Sequence, residues 1–168
     1  MAPPAELAIR FATTDDSATI LTFIRDLAEY EKLPGEVVAD EEAIRTTLFG
    51  PRPAAEVLIA ELAGAPAGFA LFFPSYSTFL GKPGLYLEDL FVRLDARGRG
   101  VGRALMAALA RIAVQRDYGR FEWSVLDWNE PALRFYRSLG AKPHAGWTVQ
   151  RLTGAPLAEL AGHWPDAV

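Results

Sequence analysis

Residues 85–112, LYLEDLFVRLDARGRGVGRALMAALARI, constrain the fold more than any other stretch of the chain. The apolar, β-forming run LYLEDLFV (85–92) is followed by RGRGVG (97–102), and then by Val101, Leu105, Leu109 and Ile112 at helical spacing. Period two gives way to period 3.6 across a glycine-rich turn, which predicts a strand, a tight turn and a helix over 101–116. Gly98, Gly100 and Gly102 permit turns that other residues resist and leave no Cβ in the way of a close neighbour. Amide N–H groups at the start of the helix, backed by its dipole, suit a pyrophosphate, and Arg97, Arg99 and Arg103 add positive charge. Taken alone, the stretch reads equally as a solvated basic loop. The glycine spacing is GxGxG with no GK[ST], so it matches neither a P-loop nor a dinucleotide fingerprint.

Glu88 and Asp89 stand side by side inside the apolar strand, where acidic residues are normally avoided. Successive strand residues point to opposite faces, so at least one carboxylate is expected to face a covered surface or a cleft. A buried carboxylate without a partner is costly, so the pair could simply make ion pairs with nearby arginines; the glycine-rich turn that follows so closely favours a functional role for one of the two. Further along, Asn129 precedes a helix and Tyr136 follows seven residues later on the same helical face. By themselves these two read as a helix cap and a core tyrosine.

The rest of the chain supplies alternating elements. LAIRF (7–11) predicts a strand, and Ile20, Phe23, Ile24 and Leu27 predict a helix capped by Thr14 or Asp15 and ended by Pro34 and Gly35. A shorter helix fits DEEAIRTTLFG, with Asp40 as its cap and Gly50 as its terminator. Residues 56–62 and 67–74 predict a hairpin with a loop longer than two residues, and SYSTFLGKPG an irregular segment. Strands are expected at 120–126 and in GWTVQRL, which would close the sheet; a helix is expected in EPALRFYRSLG, and a short terminal helix or turn in APLAELAGHW. The order β-αα-βββ-α-β-α-β describes a mixed α/β domain. One domain spanning 1–168, with a core from about 7 to 160, is expected from a chain of 168 residues with no linker-like composition break.

A net charge of −4 argues against a general nucleic-acid binder, because phosphate backbones demand a basic face. Without cysteine the chain has no disulfide, thiolate metal site or cysteine nucleophile. His144 and His163 lack partners at metal-ligand spacing, so no metal is expected. The apolar runs are too short to cross a bilayer, and MAPPAELAIR lacks the features of a signal peptide, so no membrane association and a cytoplasmic location are expected.

Together, LEDLFV, RGRGVG and DWNEPALRFYRSLGA resemble the GNAT superfamily of acetyl-CoA-dependent N-acetyltransferases. RGRGVG fits that family's R/Q-x-x-G-x-G/A signature, and the resemblance extends from Ile9 to about Leu160. AEYEKLP and the segments just quoted are most similar to its diamine (spermidine/spermine) and thialysine branch, with YSTF and VLDWN closer to the thialysine members. The resemblance implies a single mixed, mostly antiparallel sheet flanked by helices and splayed at its central strand. Leu90, Phe91 and Val92 would pair with the pantetheine arm of acetyl-CoA there. Residues Gly98, Arg99, Gly100, Val101, Gly102 and Arg103, with Arg97, would hold its pyrophosphate. Asn129, Pro131 and Tyr136 would line the far side of the cofactor.

By the same resemblance Tyr136 would protonate the departing thiolate, and Glu88 would act as the base, directly or through water. Tyr30, Glu31, Glu88, Asp89, Phe79, Trp123 and Ser124 would face the acceptor, and a homodimer is implied. Ser77 and Phe79 replace an acid and a tryptophan usual in the diamine enzymes, and KPHAGW lacks the acids found there. A small lysine-like amine is therefore expected in preference to a long polyamine. Acetylation of a protein or peptide N-terminus, or a non-catalytic acetyl-CoA-binding domain, are the competing expectations.

Overall fold

Five strands make one sheet in the order β1-β2-β3-β4-β5: Leu7–Phe11, Glu56–Leu62, Ala65–Ser77, Lys82–Val92 and Phe121–Trp123. In this computed structural model, which describes residues 6–163, the first four are antiparallel neighbours and β5 runs parallel to β4. Helices α1 (Ser17–Tyr30) and α2 (Glu41–Phe49) lie between β1 and β2, and α3 (Val101–Gln115) connects β4 to β5. These elements form one compact unit ending at Ser124; a second begins at Val125.

The layers follow from the side-chain periods. Ile20, Phe23 and Leu27 of α1, with Ile44 and Leu48 of α2, bury themselves against Val57, Ile59, Phe69 and Phe91 of the sheet. Phe23 stacks on Phe69 at 5.4 Å between ring centroids and meets Phe91 at 6.2 Å. Val101, Leu105 and Leu109 of α3 are also fully buried, yet none belongs to that cluster; α3 covers the opposite face, where it packs on β4 and β3. The Asp40 side chain accepts from the Ala43 amide at 2.8 Å and caps α2 as expected.

The expected single mixed, mostly antiparallel sheet with flanking helices is present, with four departures in detail. The β2–β3 loop is a two-residue turn, not a longer one: Ala63 and Gly64 have φ of 51° and 79°, and Ala65 and Pro66 already pair with Leu62 and Glu61. The SYSTFLGKPG segment is not irregular throughout. Ser75–Ser77 pair with Lys82–Gly84, so β3 and β4 continue to a short turn. Strand β5 is three residues long, shorter than expected. The first helix is preceded by a 3₁₀ turn over Thr14–Asp16, capped at Thr13 instead of Thr14 or Asp15.

In the second unit, α4 (Glu130–Ser138) and α5 (Gly154–Ala161) form where expected. The Asn129 side chain accepts from the Ala132 amide at 3.3 Å, Pro131 occupies the first turn, and Gly140 follows the helix at a φ of 88°. GWTVQRL does not close the sheet: residues 147–153 carry no strand, and Trp147 and Val149 are 75% and 81% exposed. Strand propensity takes effect only where a neighbouring strand offers a ladder, and this segment has no such partner among the described residues. Trp164, the last residue of the expected terminal helix or turn, lies outside the described residues.

Candidate active site

The site is shaped by one extra residue in β4. Opposite β3, Phe73 pairs with Tyr86 and Phe72 with Leu87, but the next pair is Leu71 with Asp89. Glu88 is left without a partner, a β-bulge. Directly opposite residues share a face, so the bulge inverts the alternation of β4. Leu85 and Leu87 are fully buried on the α3 side; past the bulge, Asp89 and Phe91 lie on the α1 side with Leu71 and Phe69. Without the bulge Asp89 would continue the row of Leu85 and Leu87 into the core. With it, Asp89 is half-buried near the end of α1, and Glu88 is exposed.

The same bulge marks the end of β5 pairing. The β4–β5 ladder runs from Leu85↔Phe121 to Leu87↔Trp123 and stops, so no described β5 residue pairs with Glu88 to Val92. The β4–β5 ladder thus stops short of Leu90, where an extended ligand could pair, while the Val92 carbonyl beyond it accepts from the Arg97 side chain at 3.0 Å. Ser124 follows Trp123 directly and its hydroxyl lies 2.9 Å from that of Tyr86.

Beyond β4 the chain turns through Arg97–Gly100 into α3. Gly98 and Gly100 adopt left-handed conformations, with φ of 73° and 83°, and no side chain caps the helix. The first intrahelical bond is from the Ala104 amide to the Gly100 carbonyl, at 3.0 Å. The amides of Val101, Gly102 and Arg103 precede it and point out of the helix start, and no acid occupies the first turn. A Cβ at Gly98 would meet nothing within 4 Å, so the space beside that residue is open. A strand edge without a β5 partner at Leu90 and a helix start without an acid in its first turn fit acetyl-CoA, whose extended arm and pyrophosphate need those two features.

A cleft of about 490 Å³ opens between the last turn of α1 and the end of β4, lined by Asp26, Glu29, Tyr30, Phe91, Arg93, Leu94, Asp95 and Arg97. Tyr30 and Glu31 close α1 beside it. Asp89 carries the most displaced titration of the acidic groups here: burial, then the charges of Glu88 and Glu31, push it up to about 6. Burial also raises Glu31. The structure thus gathers Tyr30, Glu31, Asp89, the edge of β4 at Leu90 and the glycine turn.

Asn129, Pro131 and Tyr136 form their own group on α4, where Asn129 is buried and the Tyr136 ring lies 5.3 Å from Phe135. Phe79 stands apart, 94% exposed at the β3–β4 turn, and the eight residues from Lys82 to Asp89 alone span roughly 23 Å of strand. Asp26 and Glu29 were not singled out from sequence, although their spacing with Tyr30 on one helical face was visible there.

The raised Asp89 titration predicts a pH-dependent stability. Its folded value lies above the ordinary carboxylate value of 3.8, so the folded state holds the proton more tightly and loses stability as pH rises from about 4 to about 6. Asp89→Asn removes that loss. The variant's urea-unfolding free energy, relative to the parent, is expected to rise by up to about 3 kcal/mol between pH 4 and pH 7. A difference that stays flat with pH would show that Asp89 titrates normally.

The pattern of the Acetyltransferase (GNAT) family matches residues 22–141. A thialysine N-epsilon-acetyltransferase from Sus scrofa is 38% identical, covering 94% of this chain and 99% of the relative. An L-ornithine N5-acetyltransferase from Arabidopsis thaliana is 34% identical over 90% of this chain and 86% of its own length. Among solved structures, an integron cassette protein from the mobile metagenome of V. cholerae superposes with a TM-score of 0.80 at 25% identity, covering 94% of this chain and 99% of that one. With its β4–β5 ladder stopping at the bulge, its glycine turn at the start of α3 and these relatives over nearly its full length, the chain belongs to the GNAT family of acetyltransferases.

Proposed function

We propose that this enzyme transfers the acetyl group of acetyl-CoA directly to a primary amine of a small cationic, lysine-like substrate. The observation that carries the substrate class is the bulge that turns Asp89 toward the α1 end, beside Glu31. Half-buried carboxylates at the end of α1 favour a cation, and the named activities of the relatives, on thialysine and ornithine, fit an amino acid with an amine-bearing side chain. Acetyl-CoA supplies the activated acetyl group as a thioester. The edge of Leu90–Val92 would pair with its arm, and the amides of residues 98–103, with Arg99 and Arg103, would hold its pyrophosphate.

An alkyl ammonium has a pKa of about 10 and must lose a proton before it attacks. Glu88, exposed at the bulge, would take that proton directly or through a water, while Tyr30, Glu31 and Asp89 hold the cation. The β4 backbone amides near Leu90 would polarise the thioester carbonyl. One C–N bond forms and the C–S bond breaks; the amine's two surplus protons would pass in turn through Glu88 to water, and the Tyr136 hydroxyl would give one proton to the departing sulfur and regain it from solvent. A second reading gives Asp89 the base role, because its titration is the displaced one. The two separate on the acid limb of kcat/KM: Glu88→Gln flattens it if Glu88 is the base, Asp89→Asn if Asp89 is.

Without cysteine, no thiol is available to carry the acetyl group, so transfer in a ternary complex is expected. Initial rates with acetyl-CoA and thialysine varied together are expected to give intersecting double-reciprocal lines; parallel lines would mean an acetylated enzyme. A homodimer in the cytoplasm belongs to the same proposal and is supported by the resemblance of the sequence to the thialysine branch. Among the described residues, no helix is long and apolar enough to cross a membrane.

A further inference from the structure

We infer that Arg97 is a positioning residue whose side chain ties the phosphate-binding turn to the amine-binding end of α1, so that the two substrates bind co-operatively. The inference builds on the two subsites proposed above and assigns this arginine's side chain a task other than phosphate contact. Its guanidinium carbon lies 4.5 Å from the centroid of the Tyr30 ring and 5.7 Å from that of Phe91. Its Nε donates to the Val92 carbonyl at 3.0 Å. The backbone of Arg97 enters the glycine turn, while its side chain folds back along the end of β4 onto α1.

What it touches there is the last residue of α1, immediately before Glu31. The helix ends in a tight cap: the amides of Glu31, Lys32 and Leu33 donate to Leu27, Glu29 and Ala28 at 2.9, 3.1 and 2.8 Å. Lys32 sits at a φ of 65°, a left-handed conformation that a residue with a side chain adopts at some strain. A helix end held in that way gains from an external brace, and a guanidinium stacked on Tyr30 supplies one. Phe91, the other wall of the stack, shares its face of β4 with Asp89. One side chain therefore touches α1 next to Glu31, and β4 next to Asp89, from an anchor in the glycine turn. An anion that orders the turn fixes that anchor, and by linkage a bound amine strengthens anion binding in return.

Arg97→Lys keeps the charge and loses both the planar face and the Nε donor. Hydrogen exchange on the ligand-free protein is expected to be faster at the amides of Glu31, Lys32 and Leu33 in Arg97→Lys and in Tyr30→Leu, by roughly two- to five-fold, the size of one exposed cation–π contact. The double variant is expected to be no faster than either single one. In turnover, Arg97→Lys raises the amine KM by a similar factor of about two to five while kcat at saturation stays within about two-fold. Titrations of the parent are expected to show amine binding tightened by CoA, and Arg97→Lys is expected to abolish that tightening. Unchanged exchange at 31–33, or a rise confined to the KM for acetyl-CoA, would overturn the inference and leave Arg97 a plain phosphate ligand. If the parent turns over no amine at all, the acetyl-transfer reading fails, and the exchange experiment still decides whether the brace exists.

Discussion

Tyr136→Phe is expected to lower kcat by about a hundred-fold or more, in the range set by loss of a positioned general acid, with the KM for acetyl-CoA nearly unchanged. The substitution removes one oxygen and keeps the ring that lies against Phe135, and α4 retains its Asn129 cap. On the proposed mechanism what would be lost is the proton for the departing sulfur, a need that arises only as the C–S bond breaks. An effect confined to kcat is the signature of an interaction made in the transition state. If the variant turns over at the parent rate, Tyr136 has no part in the chemistry and the thiolate leaves unassisted.

Gly100→Val is expected to act on the other substrate. At a φ of 83° a β-branched residue is strained by roughly 1–3 kcal/mol, and relief of that strain would move the turn proposed to hold the pyrophosphate. The KM for acetyl-CoA is expected to rise more than about ten-fold, the equivalent of about 1.4 kcal/mol, with a smaller change in the amine KM. Gly64 offers a control with matching strain: its φ is 79°, but it sits in the β2–β3 turn. Gly64→Val should lower the melting temperature and leave the KM for acetyl-CoA as it is. Equal effects of the two valines on that KM would mean that Gly100 matters only for stability.

Most of the frame was legible because it rests on periodicity. Ile20, Phe23 and Leu27 mark α1 at helical spacing and are buried where that spacing puts them. Val101, Leu105 and Leu109 do the same for α3, and the glycines between strand and helix announce the turn. The bulge was not legible. LYLEDLFV is an apolar run broken only by two adjacent acids, and a bulge exists only relative to the partner strand, here in the step from Phe72↔Leu87 to Leu71↔Asp89. Consequently the presence of an important acid in β4 could be read, but not which of the pair faces α1. The Ala63–Gly64 turn escaped for a related reason, since alanine at positive φ carries none of the Asn-Gly signal. In GWTVQRL, composition suggested a strand, yet strands form between partners and not from composition. The backbone of Arg97 could be placed in the turn from sequence, but the direction of its side chain is a tertiary fact set by Tyr30, Phe91 and the Val92 carbonyl.

The central claim is that an acetyl group moves from acetyl-CoA to the amine of a small lysine-like molecule. It is tested most directly by following free CoA while the protein is offered acetyl-CoA with thialysine, lysine, ornithine, putrescine, spermidine, spermine and short peptides in turn, with the products identified by mass. The expected result is release of one CoA for each singly acetylated thialysine or related amino acid, at a kcat/KM well above that for spermine or any peptide. Efficient turnover of spermine or of peptide N-termini with none of the amino acids, or no CoA release with any amine, would contradict it.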